Sequence, residues 1–218
     1  MKLCHRNLHL LAASILAATL TGTAAAATPS HANYVAHLQP MNTGVAQSST
    51  KGDARFVVAG DKLTITIDVH GAPADTTHWQ HFHGFTTGQA ATCPSMADDA
   101  NHDGIVDLIE AGKTSGTTMV PFITDPVSMD VGHGTYPKAD AKGTYHYQET
   151  VSVKSLDAAF AKAFPGQKLD LAKRVVFIHG VPDSTKLPSS VASLGAIPAQ
   201  VTLPIACGRI ERTAAAAH

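Results

Sequence analysis

An all-β fold built from antiparallel strands is predicted for this chain by three observations. Most segments after Tyr34 alternate apolar and polar residues with the period of a strand, and Gly-containing turns separate several of them. The chain has 218 residues, which is enough to bury a sizeable core. Short strands with intervening turns are typical of an antiparallel sandwich or barrel. Because no linker divides the sequence, we expect a single β domain over 28–218.

Seven strands can be placed on this pattern, and one short helix. The second and third strands flank an Ala-Gly-Asp-Lys turn at 59–62, which is typical of a hairpin. Ser155 can cap a helix over 155–164, and Pro165 would end it. The stretch from 84 to 142 has few strand signals and is predicted to be a long loop insertion. The predicted strands cover 34–38, 54–58, 63–69, 80–85, 144–153, 174–179 and 205–211.

The first 27 residues have the pattern of a secretory signal. Lys2 and Arg6 precede an apolar run over 8–20, and four alanines at 24–27 form a cleavage zone. The apolar run is too short for a comfortable membrane span, and no later stretch approaches the required length. We therefore expect a secreted or periplasmic protein without a membrane span. A buried N-terminal helix is the alternative.

The charge balance excludes some classes of partner. With 16 Lys and Arg against 17 Asp and Glu, the formal net charge is −1. A near-neutral chain lacks the long-range attraction that nucleic-acid and anionic-membrane binders usually show. The abnormal feature is the 13 histidines, which indicate metal chemistry.

Export also bears on the cysteines. Cys4 would leave with the signal, and Cys93 and Cys207 would remain. In an oxidising compartment these two most simply form one disulfide, worth about 4 kcal/mol in the chain-entropy model. Two free thiols are the alternative.

A cluster of histidines lies in the sequence His-Trp-Gln-His-Phe-His at 78–83. On a strand, His81 and His83 point to the same face and can bind one metal ion, whereas Phe82 points to the core. His78 lies at the strand entry, where it can tie down the loop through backbone hydrogen bonds. Imidazole ligands suit copper or zinc rather than calcium or magnesium. Solvated strand histidines are the alternative.

Four blocks of sequence resemble the copper/zinc superoxide dismutase family. The spacing of His78, His81 and His83 is similar to the copper-binding strand of that family, and Cys93 follows at a similar distance. The segment 175–179 resembles the strand that carries the last copper histidine, His179. Asp183 and the closing segment 205–208 complete the family order. The resemblance implies an eight-stranded Greek-key barrel that binds copper through His81, His83 and His179, with a Cys93–Cys207 disulfide. It also implies that Asp183 orients the ligands, while His78 lies beside them.

The sequence departs from this family pattern in two places. The long loop offers only His102 and His133, at different spacing, where the family has zinc histidines. Asp130 and His133 resemble a motif of the family in which the histidine and the aspartate have changed places, and they are possible further ligands. Zinc binding is therefore uncertain. Pro204 stands where the family has the arginine that guides superoxide. We assign no catalytic residue beyond the metal.

A calcium-binding motif lies inside the long loop. The sequence over 99–110 fits the EF-hand pattern D-x-[DN]-x-[DN]-G-x5-E without a mismatch. Since no long helix precedes it, we expect a structural clamp rather than a calcium sensor, and a solvated acidic turn is the alternative. The predicted ligands are Asp99, Asn101, Asp103, the Ile105 carbonyl, Asp107 and Glu110.

Three functions are consistent with these observations. The first is an exported copper-binding superoxide dismutase-like enzyme. The second is a non-catalytic protein that binds or buffers copper on the same fold. The third is a calcium-stabilised extracellular binding module whose histidines have lost their role. The predicted partners are superoxide or copper ions, and a homodimer is possible.

Overall fold

Eight antiparallel strands form one curled sheet in the computed structural model, which describes residues 31–214. The predicted signal over 1–27, with Cys4, lies outside the described residues. The all-β class predicted from sequence is confirmed. The strands are β1 (His31–Pro40), β2 (Lys51–Ala59), β3 (Lys62–His70), β4 (Gln80–Gly84), β5 (Thr117–Pro121), β6 (Tyr145–Ser152), β7 (Val175–His179) and β8 (Pro204–Thr213).

The strand order is β5-β4-β7-β8-β1-β2-β3-β6. The pair Ala59↔Lys62 closes the β2–β3 hairpin over the turn expected there. The chain then crosses from β3 at one side of the sheet to β4 at the other, and it crosses again from β6 to β7. These crossovers give a Greek-key arrangement in which β4 and β7 are neighbours although far apart in sequence.

The two ends of the sheet approach each other across a shared apolar core. Phe122, directly after β5, lies 5.8 Å from Phe56 and 6.4 Å from Tyr147 between ring centroids. The Tyr147 hydroxyl donates to the Ile123 carbonyl at 2.8 Å. Tyr145 of β6 likewise donates to the Oε1 atom of buried Gln80 on β4 at 3.2 Å. The sheet is therefore curled into a half-barrel that encloses its core.

The helices are short and lie outside the sheet. Instead of 155–164, the predicted helix spans Val153–Ala163. Ser152, rather than Ser155, caps it, because its hydroxyl at the end of β6 accepts the Ser155 N–H at 3.1 Å. Single turns of 3₁₀ helix lie at Met96–Asp98, Pro126–Ser128 and Leu171–Lys173. The α-helices are α1 (Thr43–Ala46), α2 (Leu108–Ser115), α3 (Val153–Ala163) and α4 (Ala199–Thr202).

The long insertion is more ordered than the sequence predicted. It contains helix α2 and strand β5, neither of which was expected. Strand β5 is five residues long, and its last three residues are all buried, so it lacks the alternation that reveals a strand. Asp107 caps α2 by accepting the N–H groups of Ile109 and Glu110. The insertion thus supplies one edge of the sheet beside β4.

A disulfide anchors the insertion to the closing strand. Cys93 is bonded to Cys207 of β8, across a sequence separation of 114 residues. The predicted pairing is confirmed, and it holds the start of the insertion against the sheet. Within residues 31–214, none of the helices is long and apolar enough to cross a membrane.

Candidate metal centre

Three histidines converge at one end of β4 and β7. His81 and His83 share one face of β4, and His179 lies at the end of the neighbouring strand β7. One nitrogen from each ring can be chosen so that all three lie within 4.8 Å of one another. All three residues are buried. We call His81, His83 and His179 the histidine trio.

Two ring nitrogens of the trio are buried without a hydrogen-bond partner. They are His81 Nδ1 and His179 Nε2. A buried polar atom that loses water without gaining a partner has an appreciable free-energy cost, about 1–3 kcal/mol. Two such atoms on adjacent, converging rings fit the donor set of a metal site.

Backbone carbonyls determine which nitrogens carry protons. His179 Nδ1 lies 2.7 Å from the Thr202 carbonyl oxygen, which can only accept a hydrogen bond. In the neutral ring Nδ1 therefore carries the proton, and Nε2 presents a lone pair. His83 Nδ1 donates in the same way to the Gly116 carbonyl at 3.3 Å. Metal-bound histidines are commonly oriented by a carbonyl on the second nitrogen.

Thr118 contacts the remaining nitrogen of His83. Its hydroxyl lies 3.1 Å from His83 Nε2 and, by the same argument, donates to that lone pair. His83 Nε2 is thus oriented for binding but already has a partner, unlike the free nitrogens of His81 and His179.

Burial keeps the trio uncharged. Desolvation lowers the pKa of His83 to about 3 and that of His179 to about 4. The pKa of His81 is also lowered well below its ordinary value, first by desolvation and then by the neighbouring His179 and His83. At neutral pH the three rings are therefore in the neutral form that metals bind.

His78 supports the trio without joining it. Its Nδ1 lies 3.0 Å from the His179 carbonyl oxygen, and its Nε2 lies 3.1 Å from that of Pro73. Desolvation lowers the pKa of His78, so the ring is neutral and one of these contacts is a donated hydrogen bond. The ring also stacks on Tyr145, with 5.7 Å between centroids. His78 thereby links the loop before β4 to the end of β7.

The backbone at Gly116 allows the approach of α2 to His83. Gly116 has φ of +76°, a conformation that residues with a Cβ rarely adopt. A Cβ at this position would lie 2.2 Å from the carbonyl oxygen of Gly84. Glycine is therefore required where the chain passes from α2 to β5 beside the trio.

A cavity of about 370 Å³ opens over the trio. Its walls are mostly apolar, and Trp79, Leu108, Val131 and Leu194 form them. Within the described part of the chain, no Asp, Glu, Lys or Arg contributes to its lining. The remaining lining residues are the trio itself, Gly116, Thr117, Thr118 and Thr202.

Four other predicted ligand or ligand-orienting residues lie apart from the trio. His133 is exposed and pairs with Asp130, with 3.0 Å between Nδ1 and Oδ1. His102 is exposed in the acidic loop. Asp183 is exposed as well, and the hydrogen bonds that orient His179 and His83 go to the carbonyls of Thr202 and Gly116. Among residues 31–214, the trio is the one group of three or more His, Cys, Asp or Glu side chains whose ligand atoms all lie within 4.8 Å of one another.

Pro204 begins β8 and is buried, and its side chain has no charge to offer an anion. Its carbonyl accepts a hydrogen bond from Asn42 Nδ2 at 2.9 Å. Arg209, further along β8, is exposed and does not line the cavity.

The acidic loop over 99–110 is folded around its own carboxylates. Glu110 Oε1 accepts the Ala100 N–H at 2.7 Å, and Glu110 Oε2 accepts the Asp107 N–H at 3.2 Å. Asp99 Oδ2 accepts the Gly104 N–H at 2.9 Å. The side chains of Asp99, Asp107 and Glu110 are buried. Asn101 and Asp103 accept backbone N–H groups in the same loop, and Ile105 packs in the core.

The same loop is tied to the far rim of the cavity. Ser190 donates to Asp103 Oδ2 at 2.6 Å, and the Ala192 N–H donates to Asp107 Oδ2 at 2.8 Å. Leu194, two residues further on, lines the cavity. Calcium binding by the loop stays a prediction.

Several residues of the site were not predicted from the sequence. Trp79 alternates with His81 and His83 and shares their face, so the strand period could have identified it. Thr118 belongs to a strand that the sequence did not reveal, and Leu194 and Thr202 carry no local motif. These residues approach the trio only through the fold.

The chain matches no protein-family model and no curated protein. Among solved structures it is similar to the Cu/Zn superoxide dismutase from Brucella abortus, with 16% sequence identity. The match covers 82% of this chain and 99% of that chain, with a TM-score of 0.38. A TM-score of this size supports no argument about the site or its function.

Proposed function

We propose that this chain is an exported copper-binding protein. His81 Nδ1, His83 Nε2 and His179 Nε2 would hold the ion. The observation that carries this proposal is the pair of buried, unpartnered nitrogens on His81 and His179. An all-imidazole donor set suits copper or zinc, and the sequence blocks around His81, His83 and His179 resemble a copper site. Copper is therefore the proposed cofactor, and zinc is the competing ion.

The protein's own groups would prepare this site before the metal arrives. The Thr202 and Gly116 carbonyls hold His179 and His83 with Nε2 facing inward. Burial keeps the rings neutral, so no proton has to be displaced at neutral pH. Bound copper supplies one-electron exchange, which is the chemistry that superoxide dismutation requires.

Superoxide dismutation is the first candidate activity, and the sequence resemblance supports it. Non-catalytic copper binding or buffering is the second. A specific observation favours the second: no cationic side chain among the described residues lines the cavity, and Pro204 occupies the position expected for a guiding arginine. An anionic substrate would then approach without local electrostatic steering.

We also propose that the acidic loop binds calcium as a structural clamp. Its buried carboxylates and its hydrogen bonds to Ser190 and Ala192 support this role. A cation at this place would neutralise the buried carboxylates of Asp99, Asp107 and Glu110 and hold the insertion against the 190–194 segment. The third candidate function, a calcium-stabilised extracellular module, requires this clamp but no copper.

The proposed compartment is secreted or periplasmic. The Cys93–Cys207 disulfide is consistent with an oxidising compartment, and the residues at 1–27 have the pattern of an export signal.

Copper loading can be followed through the single tryptophan. Trp79 is the only Trp in the chain and lines the cavity beside the trio, so bound Cu(II) should quench its fluorescence. We expect quenching at one equivalent of copper in the parent protein and its loss in His179→Ala. The exposed His133→Ala variant is the matched control and should quench like the parent. Quenching that survives in His179→Ala would refute the proposed site.

Catalysis needs a separate measurement. Copper-loaded protein is compared with the same amount of buffer-bound copper for superoxide consumption. A rate above that background supports the enzyme, and an equal rate supports the copper-binding alternative. Protein that takes up calcium but no copper would support the third function.

A further inference from the structure

We propose that the cavity over the trio binds a small uncharged aromatic molecule, with a donor atom directed at the histidines, in preference to small anions. This inference deepens the proposed function and rests on it, because the donor atom would complete the coordination of the bound metal. It names the class of ligand that the site admits.

The walls of the cavity suit a flat apolar body. Trp79 stacks against Tyr136, with 5.1 Å between centroids and 17° between planes, so the indole is held in place. The Tyr136 hydroxyl donates to the Val131 carbonyl at 2.9 Å, which fixes a second wall residue. Leu108 and Leu194 supply further aliphatic surface. A rigid indole with aliphatic neighbours favours an aromatic ring.

The cavity has the size of a small-molecule site. Its volume of about 370 Å³ falls at the lower end of the range for such sites. That volume is larger than a diatomic anion would fill. The few polar lining residues besides the trio include Thr117 and Thr118, and the Thr118 hydroxyl contacts His83. This combination of apolar walls and a few polar groups is typical of sites that orient an organic ligand.

The described lining of the cavity has no charged side chain, and this determines its preference for an uncharged aromatic ligand over a small anion. An anion that enters the cavity loses hydration and meets no Lys or Arg among the described lining residues. The bound metal attracts anions, but it also binds neutral nitrogen donors, so the metal alone does not select between them. The selection therefore comes from the walls, which stabilise an aromatic body and give an anion no oppositely charged side chain.

Three probes of the copper-loaded protein test this preference. 4-Phenylimidazole carries the donor ring and an aromatic body, imidazole carries the donor ring alone, and azide is a small anion. Binding is measured at mildly alkaline pH through the visible absorption of Cu(II) and, independently, through Trp79 fluorescence. We expect 4-phenylimidazole to bind at least about tenfold more tightly than imidazole, because its phenyl ring is buried. Azide should bind less tightly than 4-phenylimidazole.

A charge placed at the rim should shift this order. Leu194 is 50% exposed, so Leu194→Lys should fold, and its ammonium should strengthen azide binding and weaken that of 4-phenylimidazole. Val57, on the outer face of β2, is a comparable exposed aliphatic residue at 42%. Val57→Lys is the matched control and should bind all three probes like the parent.

The outcomes separate this inference from the proposed copper site. The inference fails if imidazole or azide binds as tightly as 4-phenylimidazole, or if Leu194→Lys leaves the affinities for azide and 4-phenylimidazole unchanged. If copper does not load in a His179-dependent way, the proposed function fails first. The cavity is then tested with the metal-free protein, where Trp79 fluorescence should still rank 4-phenylimidazole above imidazole, and equal binding overturns the inference.

Discussion

The Thr118 hydroxyl lies 3.1 Å from His83 Nε2, the nitrogen that copper would need. Because Nδ1 of the same ring donates to the Gly116 carbonyl, this hydroxyl satisfies the only remaining lone pair of the ring. A metal ion must displace it. Thr118 therefore stabilises the metal-free site and competes with the metal.

Replacing Thr118 with Val should tighten copper binding. The substitution removes the hydrogen bond that competes with the metal. Because this bond stabilises only the metal-free protein, the free energy of unfolding of that form should fall by about 1 kcal/mol. The copper-bound state loses nothing, so the affinity for copper should rise by about fivefold. Competition with a chelator measures the affinity, and urea denaturation measures the stability. Thr117→Val is the control, and a weaker affinity in Thr118→Val would contradict this account.

Removing one ligand oxygen should abolish stabilisation by calcium. Glu110 closes the acidic loop, and its two oxygens also accept the Ala100 and Asp107 N–H groups. We expect calcium to raise the Tm of the parent protein by several degrees and to leave the Tm of Glu110→Gln unchanged. Differential scanning calorimetry with calcium and with chelator checks this. Glu149→Gln, on β6 outside the loop, should respond like the parent, and a parent Tm that calcium does not change would disprove the clamp.

Reducing the disulfide should lower the free energy of unfolding. The bond closes a loop of 114 residues, which constrains the unfolded chain by about 4–5 kcal/mol in the chain-entropy model. Denaturation of the parent in reductant should show a loss of this order. The double variant Cys93→Ser/Cys207→Ser should be at least as unstable as the reduced parent, because Cys207 is buried, and reductant should not change its stability. Equal stability of the oxidised and reduced parent would rule out this contribution.

The sequence predicted those parts of the site that local periodicity governs. The two-residue period of β4 placed His81 and His83 on one face and Phe82 in the core, as the structure has them. The pairing of β4 with β7 is non-local, so only resemblance to a known family connected His179 to that face.

The rest of the site depends on contacts that no short motif records. Strand β5 has no alternation, so Thr118 and its contact with His83 were not predicted. Asp183 is exposed, and its role in orienting a ligand stays a prediction, whereas the Thr202 carbonyl accepts a hydrogen bond from His179 that no motif indicated. Every residue has a backbone carbonyl, so the sequence does not reveal which carbonyl contacts His179.

Superoxide consumption by the copper-loaded protein should depend only weakly on salt. Electrostatic steering falls steeply with ionic strength, and the described lining of the cavity has no cation to provide it. Any rate above buffer-bound copper should change by less than about twofold between low and physiological salt. Leu194→Lys, which adds a cation at the rim, should raise the low-salt rate and introduce a clear salt dependence. Val57→Lys adds the same charge at a distance and should show neither effect. A strongly salt-dependent rate in the parent would mean that charges beyond the described lining guide the anion.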